Sequence, residues 1–186
     1  MKNLSILFLA FFTVTLISCK DNSTDTSKEP ELEIETVDNS ADSKEIYKIA
    51  ETEAKFKDPN VEAIFNQYLV VEAALVNTNP DIAKAESSKM QTMISDFGGH
   101  EKIRIALEEM ANSSDIQSQR QSFENVSGGM EVLLEGALES GTLYKQYCPM
   151  AFNNRGASWI SSSKDILNPY FGDKMLKCGR VDSEIQ

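Results

Sequence analysis

Two short motifs in the last quarter of the chain carry sulfur atoms at a spacing that suits metal binding. Cys148-Pro-Met150 and Met175-Leu-Lys-Cys178 each combine one cysteine with one methionine. Thiolate and thioether sulfurs are soft ligands that select copper(I) and accept zinc, whereas hard cations prefer oxygen. The residue types therefore predict a soft-metal site made of Cys148, Met150, Met175 and Cys178, with copper as the preferred ion.

The same two cysteines are also suited to a disulfide. A bond between Cys148 and Cys178 would close a loop of about 30 residues and stabilise the folded chain by roughly 3.5 kcal/mol on the chain-entropy estimate. Both methionines would then be packing residues. The chain can also switch between the disulfide and the metal-bound state, since a metal would bind only the reduced cysteines. The residues alone leave both alternatives open.

The first residues have the pattern of an export signal. Lys2 precedes a short apolar stretch, and the small residue Ser18 comes just before Cys19. A stretch this short is typical of a cleavable signal peptide and not of a membrane span. Leu16-Ile-Ser-Cys19 resembles the lipobox of bacterial lipoproteins, which implies a lipid on Cys19. We therefore expect an envelope protein anchored in the outer membrane, on its periplasmic side or at the cell surface.

The next segment is strongly acidic. Residues 20–45 contain three lysines and nine acidic residues, with almost no large apolar side chain, so they cannot bury enough surface to fold. We expect a signal peptide over 1–18 and a lipidated, disordered acidic stalk over 19–45. The remaining stretch of about 140 residues is the size of one domain.

Charge and cysteine content narrow the function further. The chain has a net charge of −11, which argues against nucleic acid as a partner because nucleic-acid surfaces attract clustered Lys and Arg. A lipidated Cys19 leaves Cys148 and Cys178 as a pair outside the cytoplasm, where thiols usually oxidise.

Apolar residues at helical spacing predict four helices. Asp58-Pro59 and Asn79-Pro80 are cap-and-proline signals for the first two helices, which end near Asn77 and at Gly98-Gly99. A third helix is expected over 101–111. A fourth begins after Asp115 and continues for more than twenty residues, to about Leu138.

These elements predict an all-α fold, an antiparallel four-helix bundle over 46–140, with an additional helix at 43–57 as an option. Gly128-Gly129 inside the fourth helix indicates a close helix contact or a kink. Arg120, at the edge of the apolar stripe, is expected to pair with a carboxylate inside the bundle or to hold the C-terminal part of the chain. Residues 141–186 are rich in turn residues and predict an irregular Cys/Met lobe packed on the bundle, with short strands near 143–147 and 157–160.

Several C-terminal motifs resemble a known family. Tyr147-Cys-Pro-Met150, Trp159-Ile-Ser161, Asn168-Pro-Tyr-Phe-Gly172 and Met175-Leu-Lys-Cys-Gly179 look like domain of unknown function family 3347, and the resemblance extends over roughly 58–182. That family occurs as small lipoproteins and fused to periplasmic adaptors of heavy-metal efflux pumps. The resemblance implies metal binding and an efflux component as partner.

A second resemblance concerns the first sulfur motif. Tyr147-Cys-Pro-Met150 is similar to the Tyr-x-Cys-Pro-Met-His-Pro motif of small heavy-metal-binding domains. This chain has Ala151-Phe152 where that motif has histidine and proline, so the coordination sphere must differ.

No catalytic constellation is present in the sequence. His100 is the single histidine and lies beside a Gly-Gly break, which favours a cap or surface role over a ligand. A di-iron bundle needs paired Glu-x-x-His motifs, and no phosphate loop or nucleophile elbow occurs. We therefore predict a binding protein and not an enzyme, with a docking module stabilised by the Cys148 to Cys178 disulfide as the alternative.

Overall fold

The computed structural model describes residues 46–186 of the chain. The predicted signal peptide, Cys19 with its predicted lipid, and the whole acidic stalk expected over 19–45 lie outside the described residues. Within the described part, no helix has both the length and the apolar character needed to cross a membrane.

Four helices follow one another at the start of the fold: α1 (Pro59–Val76), α2 (Pro80–Phe97), α3 (Glu101–Asn112) and α4 (Ile116–Leu133). The predicted caps are confirmed. The side chain of Asp58 accepts from the Asn60 backbone N–H at 2.8 Å, and that of Asn79 accepts from the Ile82 N–H at 3.1 Å. In both helices proline stands at the start, where a missing N–H costs nothing.

The fold is nevertheless a mixture of helices and antiparallel strands, so the all-α prediction is wrong. A two-stranded sheet joins β1 (Lys55–Phe56) to β2 (Leu138–Ser140), and a three-stranded sheet has the order β4-β3-β5. Its strands are β3 (Leu143–Cys148), β4 (Ala157–Ser161) and β5 (Arg180–Ile185). The two short strands expected near 143–147 and 157–160 are confirmed. β5 was missed because three of its six residues are charged and only Val181 and Ile185 are apolar.

The region before α1 is not the additional helix that was an option over 43–57. Residues 46–54 have no regular structure, and their backbone groups bond to distant side chains. Asn77 accepts from the Tyr47 N–H at 2.9 Å and donates to its carbonyl at 2.8 Å, while the Ser162 hydroxyl donates to the Ala50 carbonyl. These nonlocal partners replace the bonds that a helix would supply.

The glycine pair in α4 divides into two roles. A Cβ on Gly129 would lie 2.3 Å from Cγ1 of Ile103 in α3, so the predicted close helix contact is confirmed there. A Cβ on Gly128 would meet nothing within 4 Å, although glycine costs a helix interior about 1 kcal/mol relative to alanine. The helix ends at Leu133, earlier than expected, because Gly136 turns the chain at φ 66° and Leu138 is buried in β2.

Two tyrosines connect the edge of the larger sheet to the helices. The Tyr68 hydroxyl accepts from the Ile160 N–H at 3.1 Å, and the Tyr170 hydroxyl donates to the Ser158 carbonyl at 2.5 Å. Both peptide groups belong to β4, an edge strand. Unpaired edge groups are costly when buried, so the two hydroxyls allow this edge to face the core.

Arg120 holds the C-terminal part of the chain against the helices, one of the two roles expected for it. Its side chain is 1% exposed; Nε donates to the Pro169 carbonyl at 2.8 Å, and Nη2 donates to the Leu75 carbonyl at 3.0 Å. Burial lowers the pKa of Arg120, and the nearby carboxylate of Asp173 opposes that change. The guanidinium thus joins α1, α4 and the loop after β4.

We predict that Arg120→Met lowers the free energy of unfolding by about 3 kcal/mol, because buried carbonyls lose a charged donor that methionine cannot replace. Urea denaturation followed by the fluorescence of Trp159, the single tryptophan, measures the change. Arg104→Met is the matched control, since Arg104 makes only helix-surface ion pairs with Glu101 and Glu108. Equal losses in both variants would show that Arg120 does not anchor the lobe.

Candidate functional site

The first cysteine of the predicted site lies at the end of a central strand. Cys148 is the last residue of β3, where it pairs with Ala157 of β4 and is fully buried. Pro149-Met150 then leads into a single turn, Ala151–Asn154, in which Phe152, Asn153 and Asn154 all have positive φ. Such a left-handed run costs roughly 1–2 kcal/mol per residue, and the packing around it must supply that energy.

The second cysteine is positioned by a loop that folds on itself. A short 3₁₀ turn (Gly172–Lys174) precedes it, and the Cys178 N–H donates to the Met175 carbonyl at 3.0 Å. The buried side chain of Asn168 organises this loop. Its amide nitrogen donates to the Cys178 carbonyl at 2.6 Å, and its oxygen accepts from the Tyr170 N–H at 2.8 Å.

The loop brings the two thiols together. Sγ of Cys148 lies 3.1 Å from Sγ of Cys178, and both cysteines are free. This separation lies between the roughly 2.05 Å of a disulfide bond and the spacing of about 3.8 Å expected for two thiolates on one tetrahedral zinc ion with Zn–S bonds of about 2.3 Å. A small movement in either direction would reach one of the two states.

Burial keeps the Cys178 thiol protonated at neutral pH. Desolvation, followed by the hydrogen bond and charge of Cys148, raises the pKa of Cys178 to about 11, while a hydrogen bond from the Met150 backbone N–H opposes that rise. The thiolate is the form that binds metals or attacks disulfides. At pH 7 the Cys178 sulfur is therefore mostly the unreactive thiol, and a metal ion that binds it must displace its proton.

The two methionines are not held against the thiols as closely as the two cysteines are held against each other. The side chain of Met150 is 45% exposed and that of Met175 is half-buried, and no hydrogen bond links either sulfur to a cysteine among the described residues. The structure thus brings together Cys148 and Cys178, and places the methionines in the two turns beside them.

No other ligand cluster accompanies the pair within residues 46–186. There, no group of three or more His, Cys, Asp or Glu side chains could hold a metal ion. His100 precedes α3 at the cap position, makes no side-chain cap bond, and stacks on Phe97 with ring centroids 5.7 Å apart.

Aromatic rings pack together in the core that also contains Cys148, with Cys178 packed against it. Tyr170 packs edge-on against Trp159 at 5.9 Å and against Phe152 at 5.3 Å. Desolvation raises the pKa of Tyr170, and the charge of Cys148 adds a small part of that rise. Trp159 lies beside the residue that follows Cys178, since a Cβ on Gly179 would lie 2.9 Å from its ring, so its fluorescence can report on the state of the sulfurs.

Sequence reasoning missed two buried polar residues, Asn168 beside Cys178 and Glu72 in α1. Asn168 was singled out as part of a motif, but nothing in its neighbours indicated that it fixes Cys178. Glu72 in α1 is 1% exposed, and burial raises its pKa well above the usual value. Its surroundings in the sequence do not distinguish it from a solvated glutamate, and only its apolar neighbours Val71 and Ala74 hint at burial.

We predict that the two cysteines form a disulfide under air and that its reduction lowers the free energy of unfolding by about 3.5 kcal/mol, the loop-closure value for 30 residues. Urea denaturation with and without reductant, read by Trp159 fluorescence, measures this difference. The Cys148→Ser, Cys178→Ser double variant should not respond to reductant. A wild-type chain that is equally stable in both conditions would contradict the prediction.

Comparison with known proteins finds a family match over part of the chain but gives no function. Residues 64–141 match the family model described as protein of unknown function (DUF3347). No curated protein matches the chain, and no solved structure does. The match begins in α1 and ends before β3, so the sulfur motifs lie beyond it. The predicted resemblance to domain of unknown function family 3347 is confirmed over this stretch of the chain.

Proposed function

We propose that this chain is a lipid-anchored protein of the bacterial cell envelope that binds copper(I), or a related soft metal ion, through Cys148 and Cys178. The observation that carries the proposal is the 3.1 Å separation of the two sulfurs, which lie 30 residues apart in the chain. Two thiolates are a sufficient soft-ligand set to favour copper(I) over harder cations. No catalytic step is proposed.

The surroundings of the pair support a metal site with few ligands. Cys148 is fully buried, so a bound ion would be shielded from water on that side. Met150 and Met175 lie in the adjoining turns and can supply a thioether if one of them rotates inward. The missing histidine of the related heavy-metal motif leaves sulfur as the principal donor.

Metal binding through this pair must depend on pH. The pKa of Cys178 is raised to about 11, so an incoming ion displaces its proton. Apparent affinity should therefore rise about tenfold per pH unit from this thiol alone at any pH below that value, and it should fall as the solution is acidified.

The full-length reduced protein should bind one copper(I) per chain in anaerobic titrations against a chromophoric competitor. Cys148→Ser and Cys178→Ser should each abolish tight binding, whereas Met93→Leu, a thioether deletion on α2, should not change it. Met150→Leu and Met175→Leu then show which thioether contributes. If binding survives loss of both cysteines, or if the reduced wild type fails to bind, the proposal is wrong.

A second candidate function follows from the same sulfur separation. The pair needs to close by only about 1 Å to form a disulfide, which would lock the loop after β4 onto β3. The chain would then serve as a docking module for another envelope protein. Mass spectrometry of protein alkylated in intact cells separates the candidates: a bridge that persists in copper-starved and copper-loaded cells favours docking, and free thiols favour metal binding.

The proposed location, an anchor in the outer membrane, depends on lipidation of Cys19. The proposed partner is a component of heavy-metal efflux. Metabolic labelling with an alkyne-tagged fatty acid should modify the wild-type chain. Cys19→Ala should lose the label and remain unprocessed, while Cys178→Ala should keep it. Equal labelling of Cys19→Ala and wild type would rule out the anchor.

A further inference from the structure

One glutamate is buried in the core without a hydrogen-bond partner. Glu72 in α1 is 1% exposed, and its Oε2 atom accepts no hydrogen bond within residues 46–186. Glutamates are almost never fully buried unless they are paired, because an ionised carboxylate loses its hydration in the core. Burial raises the pKa of Glu72 well above its usual value, so the folded chain favours the protonated form. The metal proposal does not use this residue.

The charged groups on the elements around Glu72 are directed elsewhere. Its helix, α1, packs against α2, α4, β1 and the 3₁₀ turn, and most charged side chains on these elements are exposed. The charged side chains that are not exposed have other partners, and they are Glu86 of α2 and Arg120, Glu124 and Glu131 of α4. Burial is therefore the cause of the raised pKa, and no cation among the described residues opposes it.

Glu72 acts on two tyrosines that hold an edge of the larger sheet. Tyr68 precedes it by four residues in α1, so the two side chains lie on one face of the helix. Desolvation raises the pKa of both Tyr68 and Tyr170, and the negative charge of Glu72 adds to each rise. The Tyr68 hydroxyl accepts from the Ile160 N–H, and the Tyr170 hydroxyl donates to the Ser158 carbonyl. Both hydroxyls thereby hold β4 against the helices.

We propose that Glu72 is a pH-sensitive switch that controls the packing of β4 against α1. While the carboxyl group carries its proton, β4 stays in place. Loss of that proton to solvent leaves an unpartnered charge in the core, and separation of β4 from α1 then becomes more favourable because water can reach the carboxylate. Separation would also loosen Cys178, whose carbonyl is held by Asn168 in the loop that follows β4.

The dependence on pH has a definite direction. The folded chain keeps a proton on Glu72 that the unfolded chain releases above the ordinary glutamate pKa of about 4.3. The ratio of folded to unfolded chain should therefore fall about tenfold per pH unit above that value, until the raised pKa of the folded state is reached. Glu72→Gln removes this contribution because an amide does not ionise.

Urea denaturation of the full-length protein in reductant, at steps from about pH 5 to about pH 8, measures the change in stability. The urea midpoint of the wild type should fall with rising pH relative to that of Glu72→Gln. Glu62→Gln, on the exposed first turn of α1, should follow the wild type. Glu72→Met, which also cannot ionise, should follow Glu72→Gln. No metal ion is present, so the result does not depend on copper binding.

Amide hydrogen exchange then tests whether β4 separates locally. Protection of the Ile160 N–H should fall about tenfold per pH unit in the wild type relative to Glu72→Gln, a comparison that cancels the intrinsic pH dependence of exchange. The N–H of Leu107, a buried residue of α3, should show no such difference. The proposal is wrong if wild type and Glu72→Gln respond equally to pH, or if Ile160 and Leu107 lose protection equally.

Discussion

The position of the thiol pair depends on one buried guanidinium. Arg120 donates to the carbonyls of Leu75 and Pro169, and thereby fixes the loop after β4 against the end of α1. Next to Pro169, the Asn168 amide holds the Cys178 carbonyl. A displacement of the guanidinium would therefore move Cys178 relative to Cys148. A buried charge is expensive unless it is hydrogen-bonded, and the cost explains why three separate elements must close around it.

The sheet and the helices share their core through aromatic side chains. Tyr68 stacks on Phe123 with ring centroids 5.1 Å apart. Its hydroxyl shares a hydrogen bond with the Ser127 hydroxyl at 2.8 Å and accepts another from the Ile160 N–H of β4. Tyr170 also contacts Phe123, with ring centroids 6.1 Å apart. The ring faces supply apolar burial, and the hydroxyls satisfy a sheet edge that water cannot reach. This double use lets a three-stranded sheet pack edge-on against helices.

The parts of the fold that were predictable are those that local signals determine. Asp58-Pro59 and Asn79-Pro80 fix helix starts because a cap and a proline act within one turn. The pairing of Phe56 with Leu138 was not predictable, since it joins two residues far apart in sequence whose burial matches a helical stripe equally well. The same ambiguity is the reason that α4 was predicted to continue beyond Leu133, where it ends. The sequence could only narrow Arg120 to two possible roles, because its carbonyl partners, Leu75 and Pro169, belong to elements that are distant in the sequence.

At the site, the residue types identified the chemistry but not its state. Cys148 and Cys178 were recognised as a pair, whereas their 3.1 Å separation required the Asn168 loop. A disulfide leaves no thiolate for a metal, and a metal-bound pair has no thiol to oxidise, so the two proposed states exclude each other. Because burial raises the pKa of Cys178, this thiol is a weak nucleophile at neutral pH. Which of the two proposed states forms then depends on the competition between an oxidant and a metal ion for the Cys178 sulfur.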